Sequence, residues 1–390
     1  MDELYSFACR AIDDWAPKLR DVSHEIWLHP ELVFEEHFAH DALTKFLEDA
    51  GFDVERHYTL QTAFRGRARD KSSSTDAKST KVAVICEYDA LPDIGHACGH
   101  NLIAEAGLAA AIGIKAALEA KSTRIDAAGE LIVLGTPAEE GGGGKVKMIK
   151  AGCFDGLWAA MMVHPCPSDL PEARVLSVVH LSVTYKGKAS HAAAFPWEGI
   201  NALDAAVGAY TGLSMLRQQM KPTCRLHAII TEGGVKPNII PEVTKMSLYV
   251  RAPTDEELSA LKERVIQVLK SAGDAAGCSF EIDEDDSPYS NMCSHANLLD
   301  LYVKNVSQLG IEFDRPSELP CFSTDMGNVS HVVPSIHPWY SIGTDALNHT
   351  KGFTAAADTD YAHKQTLIAA KAMAMTAIQV LCNPDIVSTK

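Results

Sequence analysis

Two short runs bring together side chains that bind metal ions. Residues 95–101 (GHACGHN) place Cys98 and His100 on either side of one glycine. A second run, GTPAEEGG, contains the adjacent Glu139 and Glu140. Thiolate, imidazole and carboxylate are the side chains that bind zinc. Their combination indicates metal-assisted hydrolysis.

The two adjacent glutamates can divide the work of such a site. We expect Glu140 to bind the metal. We expect Glu139 to act as general base, because zinc lowers the pKa of water toward roughly 7 and a carboxylate then suffices. The structural alternatives are a solvated acidic turn for the glutamates and a core position for Cys98. The glycines at 141–144 favour the functional interpretation, since that much backbone freedom is costly without a close approach.

Three further candidates follow apolar runs. His164 and His349 are possible ligands, although a single histidine of this kind is more often structural. Asp89 either orients a ligand through a hydrogen bond or is a turn residue before Pro92. All three gain weight only if they share a site with the two motifs.

The elements that must position these residues are short apolar runs that end in polar residues. The strand candidates are residues 82–86, 131–134, 157–163 and 339–342. Ligands bind beyond the carboxyl ends of strands in open α/β sheets, so we expect one shared site. Helices are predicted within residues 2–51 and at 102–118, and a solvated loop at 69–80. The sequence therefore predicts an α/β fold whose mixed sheet carries helices on both faces.

The middle third of the chain has a different pattern, which predicts a second domain. Strands are expected at 177–185, 225–232, 243–250 and 278–282, with helices at 201–217 and 254–272. The order strand, helix, strand, strand, helix, strand is that of a ferredoxin-like α+β domain. We expect a catalytic domain formed by residues 1–176 and 291–390, with the inserted domain at 177–290.

Composition excludes some classes of partner. A net charge of -16 over 390 residues argues against nucleic acid and anionic membranes. We expect no membrane-spanning segment, and the most apolar stretch, residues 366–382, is predicted to be an Ala-rich core helix. Ten cysteines without framework spacing suit a reduced compartment, so we expect a cytoplasmic location.

Several stretches resemble one enzyme family in the right order along nearly the whole chain. They are residues 87–92 (EYDALP), 95–101 (GHACGHN), 135–140 (GTPAEE), 188–191 (KASH), 234–241 (GVKPNIIP) and 323–330 (STDMGNVS). The chain resembles the zinc metallopeptidase and amidohydrolase family of aminoacylase-1 and carboxypeptidase G. Within its amidohydrolase branch, the chain is most similar to the group of β-alanyl-lysine dipeptidase and aminobenzoyl-glutamate hydrolase.

The resemblance implies a catalytic domain and an inserted lid domain that forms a homodimer. It implies that His191 stabilises the tetrahedral intermediate, often in the partner subunit's site, and that Asn238 and Arg251 contact the substrate. The metal ligands that it implies are Cys98, His100, Glu140, His164 and His349.

The resemblance implies one or two zinc ions, for which manganese or cobalt can substitute. The wider family has His-x-Asp where this chain has Glu87-Tyr88-Asp89, and the amidohydrolase branch often has Asp at the position of Asn101. Both positions bear on the number of ions and on the bridging ligand.

We therefore predict a metallo-amidohydrolase or dipeptidase that cleaves the amide bond of a dipeptide or N-acyl amino acid, with metal-activated water and Glu139 as base. The alternative is a catalytically silent metal-binding protein of the same fold that serves binding or assembly. Retention of Glu139 beside every ligand-type residue argues against that alternative, since a silent relative has no need of the base.

The adjacency of the two glutamates gives a first prediction. Glu139→Gln should keep the metal and lose roughly 10² to 10⁴ in turnover, because it removes only the general base. Glu140→Gln should lose metal. Elemental analysis and steady-state kinetics on both variants check this, and equal metal loss in the two would contradict the division of roles.

Overall fold

The computed structural model describes residues 1–69, 80–120, 129–313 and 321–388. The chain divides into two compact units. The larger unit comprises Met1–Arg174, Met292–Cys321 and Asp325–Lys390, and the smaller unit comprises Val175–Asn291 and Phe322–Thr324.

The larger unit contains a six-stranded mixed sheet and a two-stranded parallel sheet. Its strands are β1 (Asp53–Arg56), β2 (Phe64–Arg69), β3 (Lys81–Glu87), β4 (Glu130–Thr136), β5 (Ala159–Met161), β6 (His164–Cys166), β13 (Ser335–Ile336) and β14 (Trp339–Ser341). The main sheet has the order β1-β2-β4-β3-β5-β13, antiparallel at β1-β2-β4 and parallel from β4 onward. The short β7 (Arg174–Val175) and β12 (Cys321–Phe322) lie at the boundaries between the units.

Helices cover both faces of the main sheet. They are α1 (Asp2–Leu28), α2 (His37–Asp49), α3 (His100–Glu119), α4 (Gly144–Lys150), α7 (Ala296–Gln308), α8 (Met326–Val332), α9 (Lys351–Ala356) and α10 (Asp360–Cys382), with a 3₁₀ turn at Pro384–Val387. Along β3, Val82 and Val84 join the core that contains α1, α3 and α10. Their neighbours Ala83 and Ile85 join the core that contains α4 and α8. Successive side chains of a strand point to opposite faces, so a strand with helices on both sides is apolar throughout. The mixed α/β fold predicted from the sequence is confirmed.

The local predictions differ from the structure in several places. The helices predicted within residues 2–51 are α1 and α2, whereas β1 and β2 were not anticipated. The strand predicted at 157–163 is the shorter β5, and His164 begins a separate strand, β6. The strand predicted at 339–342 is β14, which pairs with β6 and not with the main sheet. Most of the loop predicted at 69–80 lies outside the described residues.

The smaller unit has the predicted ferredoxin-like topology. Its elements in chain order are β8 (Ser177–Lys186), α5 (Ala202–Leu216), β9 (Arg225–Glu232), β10 (Val243–Ala252), α6 (Asp255–Ala276) and β11 (Ser279–Glu284), with 3₁₀ turns at Pro196–Glu198 and Arg217–Gln219. The four strands form an antiparallel sheet in the order β11-β8-β10-β9. Thr254 caps α6, because its hydroxyl accepts a hydrogen bond from the Glu257 amide at 3.2 Å.

The main segment of the smaller unit, Val175–Asn291, begins and ends close to the predicted residues 177 and 290. The unit also contains one further segment. Phe322–Thr324 belongs to the smaller unit, although residues 291–390 were assigned to the catalytic domain. The physical reason is a set of backbone and side-chain bonds: the Leu176 amide donates to the Phe322 carbonyl, and the Ser323 hydroxyl donates to the Leu176 carbonyl.

Among the described residues, α3 and α10 are long and apolar enough to cross a membrane by length and composition alone. This corrects the expectation that no segment would reach that length. In their most apolar windows, 89% of the α3 residues and 72% of the α10 residues are buried inside the protein. Both are core helices of the larger unit, as predicted for residues 366–382.

Candidate metal centre and its surroundings

The carboxylate of Asp89 links the two motifs. Asp89 follows β3, and its Oδ1 lies 3.1 Å from His100 Nδ1 at the start of α3. Its Oδ2 accepts a hydrogen bond of 2.8 Å from the backbone amide of Glu140. Gly99, at φ 78°, makes the turn into α3, and a Cβ there would lie 2.6 Å from the Pro165 side chain. Asp89 therefore orients His100 so that Nε2 is the atom left for a metal.

Two groups of possible ligands share Cys98. Cys98, His100 and His164 each offer a donor atom within 4.8 Å of the others, and so do Cys98, Glu140 and His349. The Cys98 Sγ lies 3.5 Å from His164 Nε2, and Glu140 Oε1 lies 3.2 Å from His349 Nε2. The structure therefore brings together all five ligands that the resemblance implies.

The described residues fit a metal ion on their own chemistry. His100 Nε2 and Glu140 Oε1 are buried and make no hydrogen bond of good geometry within the described part of the chain, although Glu87 Oε1 lies 3.2 Å from the first atom and His349 Nε2 lies 3.2 Å from the second. Such atoms cost about 1–3 kcal/mol each when unsatisfied, and a metal would satisfy both. His164 Nδ1 donates to the Pro165 carbonyl at 2.8 Å, which leaves its Nε2 facing Cys98. Thiolate and imidazole donors favour zinc or a similar ion over magnesium.

The backbone is strained at Ala138 and at His349, in the two segments that carry Glu140 and His349. Ala138, immediately before the glutamates, has φ 61°, and His349 has φ 66°. Left-handed backbone is uncommon for residues other than glycine and persists only where the surroundings enforce it. The His349 amide donates to the Ala97 carbonyl at 2.8 Å, which holds the imidazole at the first motif.

Glu139 lies beside the ligand groups in a buried, acidic environment. It forms a third group of possible ligands with Glu87 and His100. Burial, followed by the charges of Glu87 and Glu140, raises the pKa of Glu139 well above its ordinary value. A carboxylate with a raised pKa is the kind of base that operates near neutral pH.

Sequence analysis missed a fully buried ion-pair network next to this group. Lys145 Nζ contacts the Glu87 carboxylate and lies 2.7 Å from Asp325 Oδ1. Burial alone would lower the pKa of Lys145, but the charges of Asp325, Glu87 and Glu139 raise it above its ordinary value. A signal was present, since Lys145 directly follows the glycine run and Asp325 lies within a stretch that carries the resemblance.

Glu36 is a second residue that sequence analysis missed, and it supports the turn that carries Glu139. Its Oε1 accepts hydrogen bonds of 2.9 Å from the Ala138 and Phe34 amides, and its Oε2 accepts one of 2.7 Å from the Thr62 hydroxyl. Glu36 therefore holds Ala138 in its strained conformation. Burial, opposed by the Thr62 bond and assisted by the Asp89 charge, raises the pKa of Glu36 to about 7.

Three predicted residues lie in the smaller unit. Asn238 and His191 are neighbours, since the Asn238 carbonyl accepts from the Ala192 amide at 3.1 Å. His191 is exposed, and its Nδ1 accepts bonds from the Ala193 and Ala194 amides, so Nε2 carries the proton.

Arg251, at the end of β10, is half-buried. Its guanidinium donates to the Ser323 hydroxyl at 2.6 Å. Within the described residues, no carboxylate lies within 4.0 Å of Arg251, so the guanidinium forms no ion pair there. Burial lowers the pKa of this guanidinium.

Comparison with known proteins identifies the family of this chain. Residues 177–276 match the model of the peptidase dimerisation domain. The Xaa-Arg dipeptidase of Mus musculus is 49% identical over 384 residues, which cover 97% of this chain and 89% of that protein. The chain belongs to the M20 peptidase family. It is therefore an enzyme of the peptidase and amidohydrolase class, as the sequence predicts.

Two more distant relatives agree. A p-aminobenzoyl-glutamate hydrolase subunit of Escherichia coli is 28% identical, and the match covers 97% of this chain and 92% of that protein. A Bacillus subtilis structure described as a dinuclear metal binding peptidase from the M20 family superimposes with a TM-score of 0.72 at 19% identity, over 95% of this chain and 99% of that one. The second likeness concerns the fold alone.

The raised pKa of Glu36 gives a prediction about stability. Its pKa is about 7 in the folded protein against an ordinary 4.5, so folding takes up a proton between these values. The resulting stabilisation is complete below about pH 4.5 and is lost as the pH rises through 7. The wild-type Tm should therefore fall relative to the Tm of Glu36→Gln as the pH rises from 4.5 to 8. Thermal melts of both proteins across this range measure the change.

The matched control is Glu31, whose carboxylate also accepts hydrogen bonds from two backbone amides, those of Phe38 and Ala39. The Tm of Glu31→Gln at each pH shows what the loss of such a carboxylate does outside the Ala138 turn. Glu36→Ala should also lower kcat, since the Ala138 turn loses its acceptor, whereas Glu36→Gln keeps one. A flat Tm difference for Glu36→Gln would show that Glu36 ionises normally.

Proposed function

We propose that this enzyme hydrolyses dipeptides that carry a basic C-terminal residue, with zinc held by Cys98, His100, Glu140, His164 and His349. The observation that carries the proposal is the pair of ligand groups centred on Cys98 beside the buried Glu139. The substrate class is supported by the Xaa-Arg dipeptidase relatives at 49% and 46% identity. Cys98 belongs to both groups, so its sulfur would be a ligand in either one.

The chain's own residues account for proton movement in this reaction. Zinc, when bound, would supply a Lewis acid that polarises the scissile carbonyl and lowers the pKa of water. Glu139 then takes the proton of the attacking water and returns it to the leaving amine. His191 presents an Nε2 proton that can be donated to the oxyanion.

Arg251 is proposed to bind the carboxylate of the leaving amino acid. A half-buried guanidinium without an acidic partner among the described residues is a ready anion site, and the Ser323 hydroxyl fixes its orientation. Guanidinium and carboxylate form two parallel hydrogen bonds, which lysine cannot reproduce. Asn238, exposed beside His191, is proposed as a second substrate contact.

We propose a homodimer formed through the smaller unit. The matched family model is a dimerisation domain, and β9 is an edge strand of the four-stranded sheet. Ile229 on β9 is 62% exposed, and α5 exposes Val207 and Met215. An exposed apolar edge strand is a site at which a second chain adds to a sheet. We also propose a cytoplasmic location, supported by ten cysteines that lack the spacing of a disulfide framework.

The test of the function is release of free amino acid from a panel of dipeptides ending in Arg, Lys, Leu or Glu. Metal-stripped protein should be inactive, zinc should restore hydrolysis, and Arg-ending substrates should give the highest kcat/KM. Glu139→Gln with full metal content is the control for contaminating peptidase. Hydrolysis that resists chelation would refute the metal centre, and preference for another C-terminal residue would refute the substrate class alone.

A second arm tests Arg251. Amidation of the substrate's C-terminus and Arg251→Lys should each lower kcat/KM, by roughly 10- to 100-fold, since a hydrogen bond to a charged group is worth about 1.5–3 kcal/mol. Lys186→Arg is a control on the neighbouring strand, because Lys186 is an exposed partner of Glu281. Equal kcat/KM for free and amidated substrates would remove Arg251 from carboxylate recognition.

Subunit mixing tests the dimer and the role of His191. Glu139→Gln and His191→Ala homodimers should both be nearly inactive. If His191 serves the partner's site, mixed dimers contain one intact composite site, and activity should partly return after exchange. Exchange is verified with differently tagged subunits. Absence of recovery in verified heterodimers would assign His191 to the site of its own chain.

A further inference from the structure

A buried lysine lies beside a third group of possible metal ligands. Glu87, His100 and Glu139 offer donor atoms within 4.8 Å of one another, and all three are buried. Glu87 Oε1 lies 3.2 Å from His100 Nε2. By residue type and spacing alone, this group qualifies as a site for a divalent ion.

The opposite side of the same carboxylate is already occupied by a cation. Lys145 Nζ contacts Glu87 Oε2 and lies 2.7 Å from Asp325 Oδ1, with no exposed side-chain surface on Lys145 or Asp325. The Lys145 amide also donates to Asp325 Oδ2 at 2.9 Å. The ammonium is therefore fixed by two carboxylates and by the backbone at the start of α4.

The charges explain why this arrangement is tolerated inside the protein. Glu87, Asp325 and Glu139 place three buried carboxylates near Lys145, and buried anions persist only when paired or bound to metal. Lys145 supplies a permanent positive charge among them. A divalent ion bound by Glu87 would then lie beside an immobile ammonium, and the two cations would repel each other at low dielectric constant.

We propose that Lys145 is a built-in cation that takes the place of a metal ion at the Glu87–His100–Glu139 group. Metal binding is thereby confined to the groups centred on Cys98, and Glu87 serves as partner to Lys145 and not as a ligand. The inference rests on the proposed function. It concerns Glu87, which stands at the histidine position of the wider family's His-x-Asp motif.

Metal counting tests the proposal on intact dimeric protein equilibrated with zinc and freed of excess. Glu87→Gln should keep the wild-type number of ions per chain. Lys145→Met should bind one ion more through Glu87 and Glu139, because these two carboxylates lose the competing charge while His100 Nε2 stays with the Cys98 groups. The double variant Glu87→Gln/Lys145→Met should return to the wild-type number. Cobalt absorption spectra give a second readout that does not depend on turnover.

Each outcome separates this proposal from the one on which it rests. Wild-type protein without zinc would refute the metal centre itself. Wild-type protein with zinc, combined with metal loss in Glu87→Gln or an unchanged count in Lys145→Met, would overturn the role of Lys145 alone. If Lys145→Met does not fold, Lys145→Met/Asp325→Asn removes the second unpaired carboxylate, and it carries the same expectation of one extra ion.

Discussion

The candidate metal centre depends on the two hydrogen bonds that the Asp89 carboxylate forms. Its two oxygens bond to the His100 ring and to the Glu140 backbone, and so join the start of α3 to the turn after β4. Burial alone would raise the pKa of Asp89, but the His100 bond and charge and the Glu140 amide lower it below its ordinary value. Asp89 therefore stays an anion that fixes the tautomer of His100 and the position of Glu140, two of the proposed ligands.

Several buried charged residues surround Asp89 and His100, and most of them are acidic. The sheet supplies carboxylates at the ends of β3 and β4, and α4 supplies Lys145 from the same turn. Glu36 contributes a further carboxylate from the segment before α2, bonded to backbone amides. Lys145 pairs with Glu87 and Asp325, whereas Asp89 and Glu36 each accept a hydrogen bond from a backbone amide of the turn after β4.

The sequence was sufficient where the relevant residues are close along the chain or repeat a period. Cys98 and His100 are separated by one residue, and β3 is apolar throughout because helices cover both its faces. The order of elements in the smaller unit was likewise readable from alternation and a capping residue. Motif spacing, apolar periodicity and capping residues are local features, so they can be recognised without knowledge of the tertiary structure.

What could not be predicted depends on contacts between distant segments. Lys145 lies 58 positions from Glu87 and 180 from Asp325, so the sequence around Lys145 does not show which residues it pairs with. The Glu36 bond to Ala138 spans 102 positions. The pairing of β14 with β6 was missed for the same reason, since an apolar run does not specify which strand it joins.

The place of His349 in the chain has a consequence for biosynthesis. Cys98, His100, Glu140 and His164 precede the inserted unit, whereas His349 follows it and contacts Glu140. A ribosome makes the chain from its N-terminus, and domains generally fold as units while synthesis continues. His349, the fifth proposed ligand, emerges only after the whole ferredoxin-like unit has been made. Nascent chains therefore hold only part of the proposed ligand set for most of their synthesis, and we expect tight metal uptake by that set only when the larger unit closes.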